Sequence, residues 1–290
     1  MASSVRLGQL TTLRMGGAPR RYVRPASERE LRQALRACRL EGLAWRVLGG
    51  GSNLLVEDGP LPFAVIHVCA PAFSAIERVG PCSVRVGAGA PTARLLSFCK
   101  EHALGGLEFL AGIPGTVGGA LAGNAGAWGR SIADSLSSVC LVHPDGGTRV
   151  LARTELAFGY RTSLLTGCVV TEAAFTLEPR NPRLIALQMG RYARARAKRH
   201  PTGQHSAGCI FKNPACAPAG KLLDLCGLKG HAVGSAQISP VHANFIVNNG
   251  KATPRQVLQL IEVMKDAVRR RFGVELELEV RHWGADSIVA

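Results

Sequence analysis

Between Ser27 and Gly42 the apolar positions Leu31, Ala34, Leu35 and Cys38 recur at helical spacing, with polar residues between them. Ser27 followed by Glu30 is a capping-box pair, and Gly42 is the kind of residue that closes such a helix. The pattern predicts an amphipathic helix leading into a short apolar strand, Trp45-Arg46-Val47-Leu48. Ala64 to Val68 and Ser83 to Val86 read as further strands, with Thr92 to Ala103 a second helix. A β-rich stretch follows, with strands at Ser138 to Val142, Thr148 to Leu151 and Cys168 to Leu177. Asn181-Pro182 begins a connection, and a basic helix from Leu184 to Arg199 ends at Pro201. The strongest helix lies late in the chain. Thr253 caps it, Pro254 takes its first position, Gln256 completes a capping box, and Gly273 ends it. Val257, Leu260, Ile261, Met264 and Val268 line one face, and Glu275 to Arg281 then alternates as a strand. The order of elements implies a small α/β unit, a β-rich middle unit and a C-terminal α/β unit.

A chain of 290 residues allows two or three small domains and a sizeable core. A hydrophobic content of 47% with 19% charged residues describes a soluble globular protein, and 5% aromatics leaves the core to Leu, Val, Ala and Ile. No apolar run reaches membrane-spanning length, so no membrane partner is expected; a cytoplasmic location and a monomer are further expectations that do not rest on that absence. The N-terminus, Arg-containing and free of acids until Glu28, faintly resembles a transit peptide, but Thr12 to Gly17 reads as part of the working protein. The nine cysteines lack C-x-x-C pairs and metal-ligand spacing, which suits apolar or single thiols in a reducing compartment and no metal. The net charge of +15 raises the prospect of nucleic-acid binding. The basic residues lack aromatic interleaving, however, and an anionic small substrate or a bias toward Arg accounts for the charge, so no nucleic acid is expected.

Two glycine systems carry the chemistry. Gly49-Gly50-Gly51-Ser52-Asn53 follows the Trp45–Leu48 strand directly, and consecutive unobstructed N–H groups there would bind a phosphate or pyrophosphate; the same run would also serve as an ordinary turn. Neither G-x-G-x-x-G nor G-K-[ST] is present, which excludes Rossmann and P-loop sites. The second system runs from Gly112 through Pro114, Gly115, Gly118 and Gly119 to Asn124, Gly126 and Gly129. Its glycines would suit tight helix-to-sheet packing, and Pro114 and Asn124 suit a loop wrapped around a flat ligand better. Pyrophosphate on one loop and a ring system on the other is the shape of flavin adenine dinucleotide.

These residues, with Thr12 to Gly17, Gly159 to Ser163, Ala207 to Pro214, Ala219 to Gly230, Ile238 to Asn248 and Leu276 to Arg281, resemble in order the motifs of the UDP-N-acetylenolpyruvoylglucosamine reductase family. The resemblance covers nearly the whole chain and implies an α+β, three-domain flavoprotein. Its FAD module would be of the vanillyl-alcohol-oxidase (PCMH) type, made of subdomains 1–75 (with a C-terminal strand, 280–290) and 76–183, followed by a substrate domain, 200–279. It further implies noncovalent FAD held by Gly49, Gly50, Gly51, Ser52, Asn53, Leu54, Ile113, Pro114, Gly115, Gly118, Gly119, Asn124 and Gly126. In such a family NADPH reduces the flavin and leaves, and an enolpyruvyl UDP-sugar takes its place. Hydride then reaches C3 of the enolpyruvyl group, and a protein acid protonates C2 to give UDP-N-acetylmuramate for peptidoglycan synthesis.

By the same resemblance Arg161 binds the substrate carboxylate, Cys209 stands where the family most often has a serine proton donor, and Glu279 assists at the enol. Tyr160, Arg199, Asn213, Lys229, His242 and Arg281 fall at substrate-binding positions. The compact chain is similar to the second subclass, which lacks a tyrosine-bearing loop over the substrate. Two other readings follow from the residues: an alcohol oxidase of the same fold with tethered FAD, and a basic nucleic-acid binder without activity.

Overall fold

A computed structural model describes residues 5–165 and 167–285, and its contacts gather the chain into two units. One holds the chain up to Arg20, Gly51–Pro62 and the chain from Ala197 on; the other holds Arg21–Gly50 and Phe63–Arg196. The boundary between Gly50 and Gly51 falls inside the triple glycine.

In the unit that begins at Arg21, the helix Glu28–Leu40 starts where Ser27 Oγ accepts the Glu30 N–H at 3.3 Å. The Glu30 carboxylate reaches one residue further than a capping box requires and takes the Ala26 N–H at 2.8 Å. Leu31 and Leu35 are buried with Ile66, Val68, Phe73, Val142 and Val169. Trp45–Leu48 runs parallel to Pro60–His67, with Trp45 opposite Ala64 and Leu48 opposite His67. A five-stranded antiparallel sheet follows in the order Thr148–Ala152, Leu136–Val142, Val169–Thr176, Ser83–Gly87 and Ile76–Gly80. Along Val169–Thr176 every second residue from Val169 to Phe175 is buried, the period of a sheet with one face on a core.

Two expectations change in this unit. The Gly112-to-Gly129 stretch is not wholly a wrapping loop, because Val117–Ala122 is helical. Val117, Ala120 and Leu121 recur at helical spacing and join the core of Val84, Val86, Ala173 and Phe175, while Thr116 Oγ1 caps the Gly119 N–H at 3.3 Å. The basic helix spans Pro182–Ala197 rather than Leu184 to Arg199. Asn181 Oδ1 accepts the Arg183 N–H at 2.9 Å and Pro182 needs no donor at the first position, so the supposed connection is a helix start.

In the other unit the strands His205–Cys209, Phe245–Asn248, Ala236–Ile238 and Ala232–Val233 form an antiparallel sheet in that order. The helix Pro254–Phe272 has the complete Thr253–Gln256 capping box and ends at Gly273. Its predicted face, Val257 to Val268, is buried together with Leu223, Ile238 and Ile246. Glu275 to Arg281 is not a strand. The segment is extended and keeps its alternation, with Leu276 and Val280 buried, but the N–H groups of Glu279 and Val280 both point at the Ile210 carbonyl, at 2.8 and 3.3 Å. Two residues against one break a ladder. Only Arg281–Trp283 becomes a strand, parallel to Leu54–Val56; of the expected strand 280–290, residues 286–290 lie outside those described. Among the described residues no helix is long and apolar enough to cross a membrane.

Candidate active site

The two glycine systems meet in the unit that begins at Arg21. A Cβ on Gly50 would stand 2.8 Å from the Cα of Gly115, and one on Gly49 would stand 2.5 Å from Thr116 Oγ1. Main chain packs on main chain there, and no larger residue fits. Thr92 secures the second loop by donating Oγ1 to the Ile113 carbonyl at 2.9 Å and N–H to the Gly115 carbonyl at 3.0 Å, on either side of Pro114. Gly118 donates its N–H to the Ala88 carbonyl at 2.8 Å.

Beyond the short helix, three side chains lock Ala122–Gly126 to the hairpin Phe158–Ser163. Asn124 Nδ2 donates to the Gly159 carbonyl at 2.8 Å, Arg161 Nη1 to the Gly126 carbonyl at 2.9 Å, and Ser163 Oγ to the Ala122 carbonyl at 3.1 Å. Tyr160 and Arg161 occupy the tip of that hairpin. Asn124, Trp128 and Arg161 have φ of +41°, +59° and +58°, a region that non-glycine residues enter at a cost of roughly 1–3 kcal/mol each. The Arg161 guanidinium also lies 5.5 Å from the centre of the Tyr160 ring, and Tyr160 is 55% exposed. Asn124 Oδ1 is buried and has no hydrogen-bond partner among the described residues. An acceptor of this kind, beside a surface of bare main chain, fits a flavin nucleotide, whose ring offers an N–H and whose pyrophosphate needs N–H donors.

The other unit carries Gly51, Ser52, Asn53 and Leu54 with Cys209 and Glu279. The Gly51 carbonyl accepts the Thr12 N–H at 3.0 Å, and Thr12 Oγ1 donates to the Ser206 carbonyl at 2.6 Å. Asn53 Nδ2 donates to the Glu279 carbonyl at 3.0 Å, and the Asn53 carbonyl accepts the Arg281 N–H at 3.0 Å. Cys209 ends its strand opposite Phe245, after an irregularity at Gly208, whose φ of +80° suits glycine alone. The next residue, Ile210, accepts the Glu279 N–H through the 2.8 Å bond already described, so the main chain of Glu279 is paired with the residue that follows Cys209. Asn244, 1% exposed, fixes the segment by exchanging two hydrogen bonds with the Phe211 main chain, at 2.8 and 3.0 Å.

Three of the expected substrate residues gather on the helix Ala219–Leu225. Asn213 Oδ1 accepts the Ala219 N–H at 3.0 Å, and Lys229 Nζ pairs with Asp224 at 2.7 Å. The His242 ring covers Gly220, where a Cβ would stand 2.6 Å from Cε1, and packs edge-on against Phe245 and His200. Burial, and then the Lys229 charge, push His242 below the ordinary histidine range, and its Nδ1 accepts the Asn244 N–H at 3.2 Å. The ring is therefore neutral at pH 7, with its proton on Nε2. Arg199 is exposed beyond the end of the basic helix, and Arg281 is exposed at the start of its strand. Sequence reading missed the clamp at Asn244 and the pair Tyr22–His67, whose hydroxyl and Nδ1 lie 2.6 Å apart. A polar Asn directly before the apolar strand Phe245–Asn248 signals the first; the pair has no local signal, because strand register alone creates it.

Comparison with known proteins matches residues 19–152 to an FAD binding domain and residues 200–283 to the C-terminal domain of UDP-N-acetylenolpyruvoylglucosamine reductase. The UDP-N-acetylenolpyruvoylglucosamine reductase of Pelobacter propionicus is 41% identical over 277 residues, 95% of this chain and 93% of that one. The reductase of Syntrophobacter fumaroxidans is 42% identical over 276 residues, covering 93% of this chain and 80% of its own. The crystal structure of the Thermus caldophilus reductase superposes with a TM-score of 0.85 at 39% identity, over 98% of this chain and 99% of that one.

Proposed function

The chain belongs to the UDP-N-acetylenolpyruvoylglucosamine reductase family, and from that premise we propose that it reduces the enolpyruvyl ether of UDP-N-acetylglucosamine to UDP-N-acetylmuramate with NADPH. It is an FAD-type oxidoreductase with an α+β fold and a PCMH-type FAD domain. When bound, FAD would supply the hydride chemistry that links NADPH to the substrate. The protein's residues have three tasks around that exchange.

Arg161 clamps the substrate carboxylate, on which negative charge grows once C3 has gained hydride. Its anchorage on the Gly126 carbonyl sets the plane of the fork before substrate arrives. Cys209 gives a proton to C2, and a thiol with a reference pKa of about 8.5 is a far stronger acid than the serine hydroxyl usual in the family. Glu279 assists at the enol. The observation that supports this assignment is the Ile210 link, which pairs the main chain next to Cys209 with that of Glu279. Gly49 to Leu54, Ile113 to Gly115, Gly118, Gly119, Asn124 and Gly126 hold FAD. Tyr160, Arg199, Asn213, Lys229, His242 and Arg281 bind the sugar nucleotide. We assign FAD subdomains to 1–75 and 76–183 and a substrate domain to 200–279, in a cytoplasmic monomer.

Anaerobic stopped-flow spectroscopy tests the reading. NADPH is expected to bleach the flavin absorbance, and the enolpyruvyl UDP-sugar to restore it. Bleaching without recovery would leave a flavin reductase of another substrate.

A further inference from the structure

The helix Pro182–Ala197 has no part in the chemistry above, and of its residues Ile185 alone is fully buried. Met189, Tyr192 and Ala193 lie on the same side as Ile185, packed against the core of their unit, and the Tyr192 ring stacks on Trp128 at 5.2 Å. Successive residues turn by about 100° around a helix, which puts Arg183, Leu184, Leu187, Arg191 and Arg194 within about 100° of arc on the opposite side. All five are exposed, Leu184 by 52% and Leu187 by 47%. No acidic residue occurs between Glu178 and Asp224, and among the described residues none of these three arginines is in an ion pair.

An exposed leucine standing alone on a surface is ordinary. Two of them set among three arginines on one face of a pinned helix form a pattern. Apolar tips can enter the headgroup boundary of a bilayer, while the long arginine stems let their charges stay level with the lipid phosphates. The expectation of no membrane partner came from the lack of a spanning run, and an element that lies on a bilayer needs none. The other occupants fit less of the face. A nucleic acid would engage the arginines and leave both leucines in water, and a second copy of the chain, face to face, would set arginine against arginine. We propose that this face is a docking surface for an anionic lipid bilayer. Leu184 and Leu187 seat at the headgroup boundary, and Arg183, Arg191 and Arg194 pair with lipid phosphates.

The test is cosedimentation of the FAD-loaded protein with vesicles of phosphatidylcholine containing about 30% phosphatidylglycerol, in about 0.1 M salt. The unsubstituted protein is expected to bind these vesicles and not vesicles of phosphatidylcholine alone. One arginine near such a surface is worth roughly fivefold in partitioning, so Arg191→Gln with Arg194→Gln is expected to lose about 25-fold. Leu184→Gln with Leu187→Gln keeps the charge and the helix propensity and is expected to lose about tenfold. Arg36→Gln with Arg39→Gln, both exposed on the helix Glu28–Leu40, removes as much charge from another face and is expected to bind within about threefold of the unsubstituted protein. Circular dichroism and bleaching of the flavin by NADPH are expected to be the same in every variant. No binding by the unsubstituted protein, a loss in the Arg36 and Arg39 pair as large as in the Arg191 and Arg194 pair, or full binding by the leucine pair overturns the proposal. So does tighter binding to a single-stranded RNA oligonucleotide than to the vesicles, lost in the arginine pair and kept in the leucine pair, which would assign the face to nucleic acid. If the leucine pair does not fold, the comparison of the two arginine pairs decides.

Discussion

At the residue scale the site depends on which atoms are already committed. Cys209 is the sharpest case, since its proposed work is confined to the second half-reaction. In Cys209→Ala, bleaching of the flavin by NADPH is expected at the normal rate, while reoxidation by the sugar nucleotide slows on the order of 100-fold or more, the usual worth of a general acid. Cys209→Ser is expected to turn over, because serine is the more frequent residue there in the family. An alanine variant reoxidised at the normal rate would move the proton donor elsewhere. Arg161 sits at positive φ at the hairpin tip with Nη1 bonded to the Gly126 carbonyl, and lysine offers no planar fork. Arg161→Lys is expected to lower the rate of flavin reoxidation about 100-fold in stopped-flow traces, with reduction by NADPH unaffected. His242 gives a stability prediction. Folding holds its ring below the ordinary histidine value of 6.5, so as pH falls through that value the unfolded chain takes up a proton that the folded chain refuses. Stability therefore declines on the acid side of neutrality. The melting temperature of His242→Asn is expected to fall less than that of the unsubstituted protein between about pH 7 and pH 5.5.

At the scale of elements, local chemistry was legible and long-range pairing was not. Thr253, Pro254, Gln256 and Gly273 each occupy the position that the sequence implied, because caps depend on residues one to four apart. Replacing Thr253 with Ala is expected to cost about 1 kcal/mol in urea unfolding, with the flavin spectrum unchanged. The same rule read correctly would have begun the basic helix at Asn181-Pro182. The Glu275-to-Arg281 alternation is also real, and its burial pattern holds. What it cannot reveal is that Glu279 and Val280 both turn to Ile210, which ends the ladder. The site shows the same division. Both glycine systems were visible in the sequence, yet nothing in it said that Gly50 lies against Gly115. That contact makes a prediction of its own. Gly50→Ala puts a methyl group 2.8 Å from the Gly115 Cα, and neither main chain can yield without disturbing the other. Overpacking of this sort costs about 1–3 kcal/mol, and FAD content on purification is expected to drop with it.

At the scale of the whole molecule the charge needs an account. Thirty-five basic residues against twenty acidic leave +15, far from the balance that favours stability alone. The proposed ligands are all anions: a dinucleotide, a nicotinamide dinucleotide phosphate, and a sugar diphosphate that also bears a carboxylate. A cationic field would speed their arrival without altering what happens once they are bound. The two roles separate under salt, because screening acts on encounter across solvent, with a Debye length of about 10 Å at 0.1 M and about 3 Å at 1 M. If the charge serves capture, kcat/KM for the enolpyruvyl UDP-sugar falls several-fold as salt is raised through that range, while kcat, set inside the occupied site, stays level. If the charge only reflects a taste for arginine, both are flat. A joint fall in kcat and kcat/KM would point instead to a salt-sensitive step in the bound complex, and would remove steering as the reason for so basic a chain.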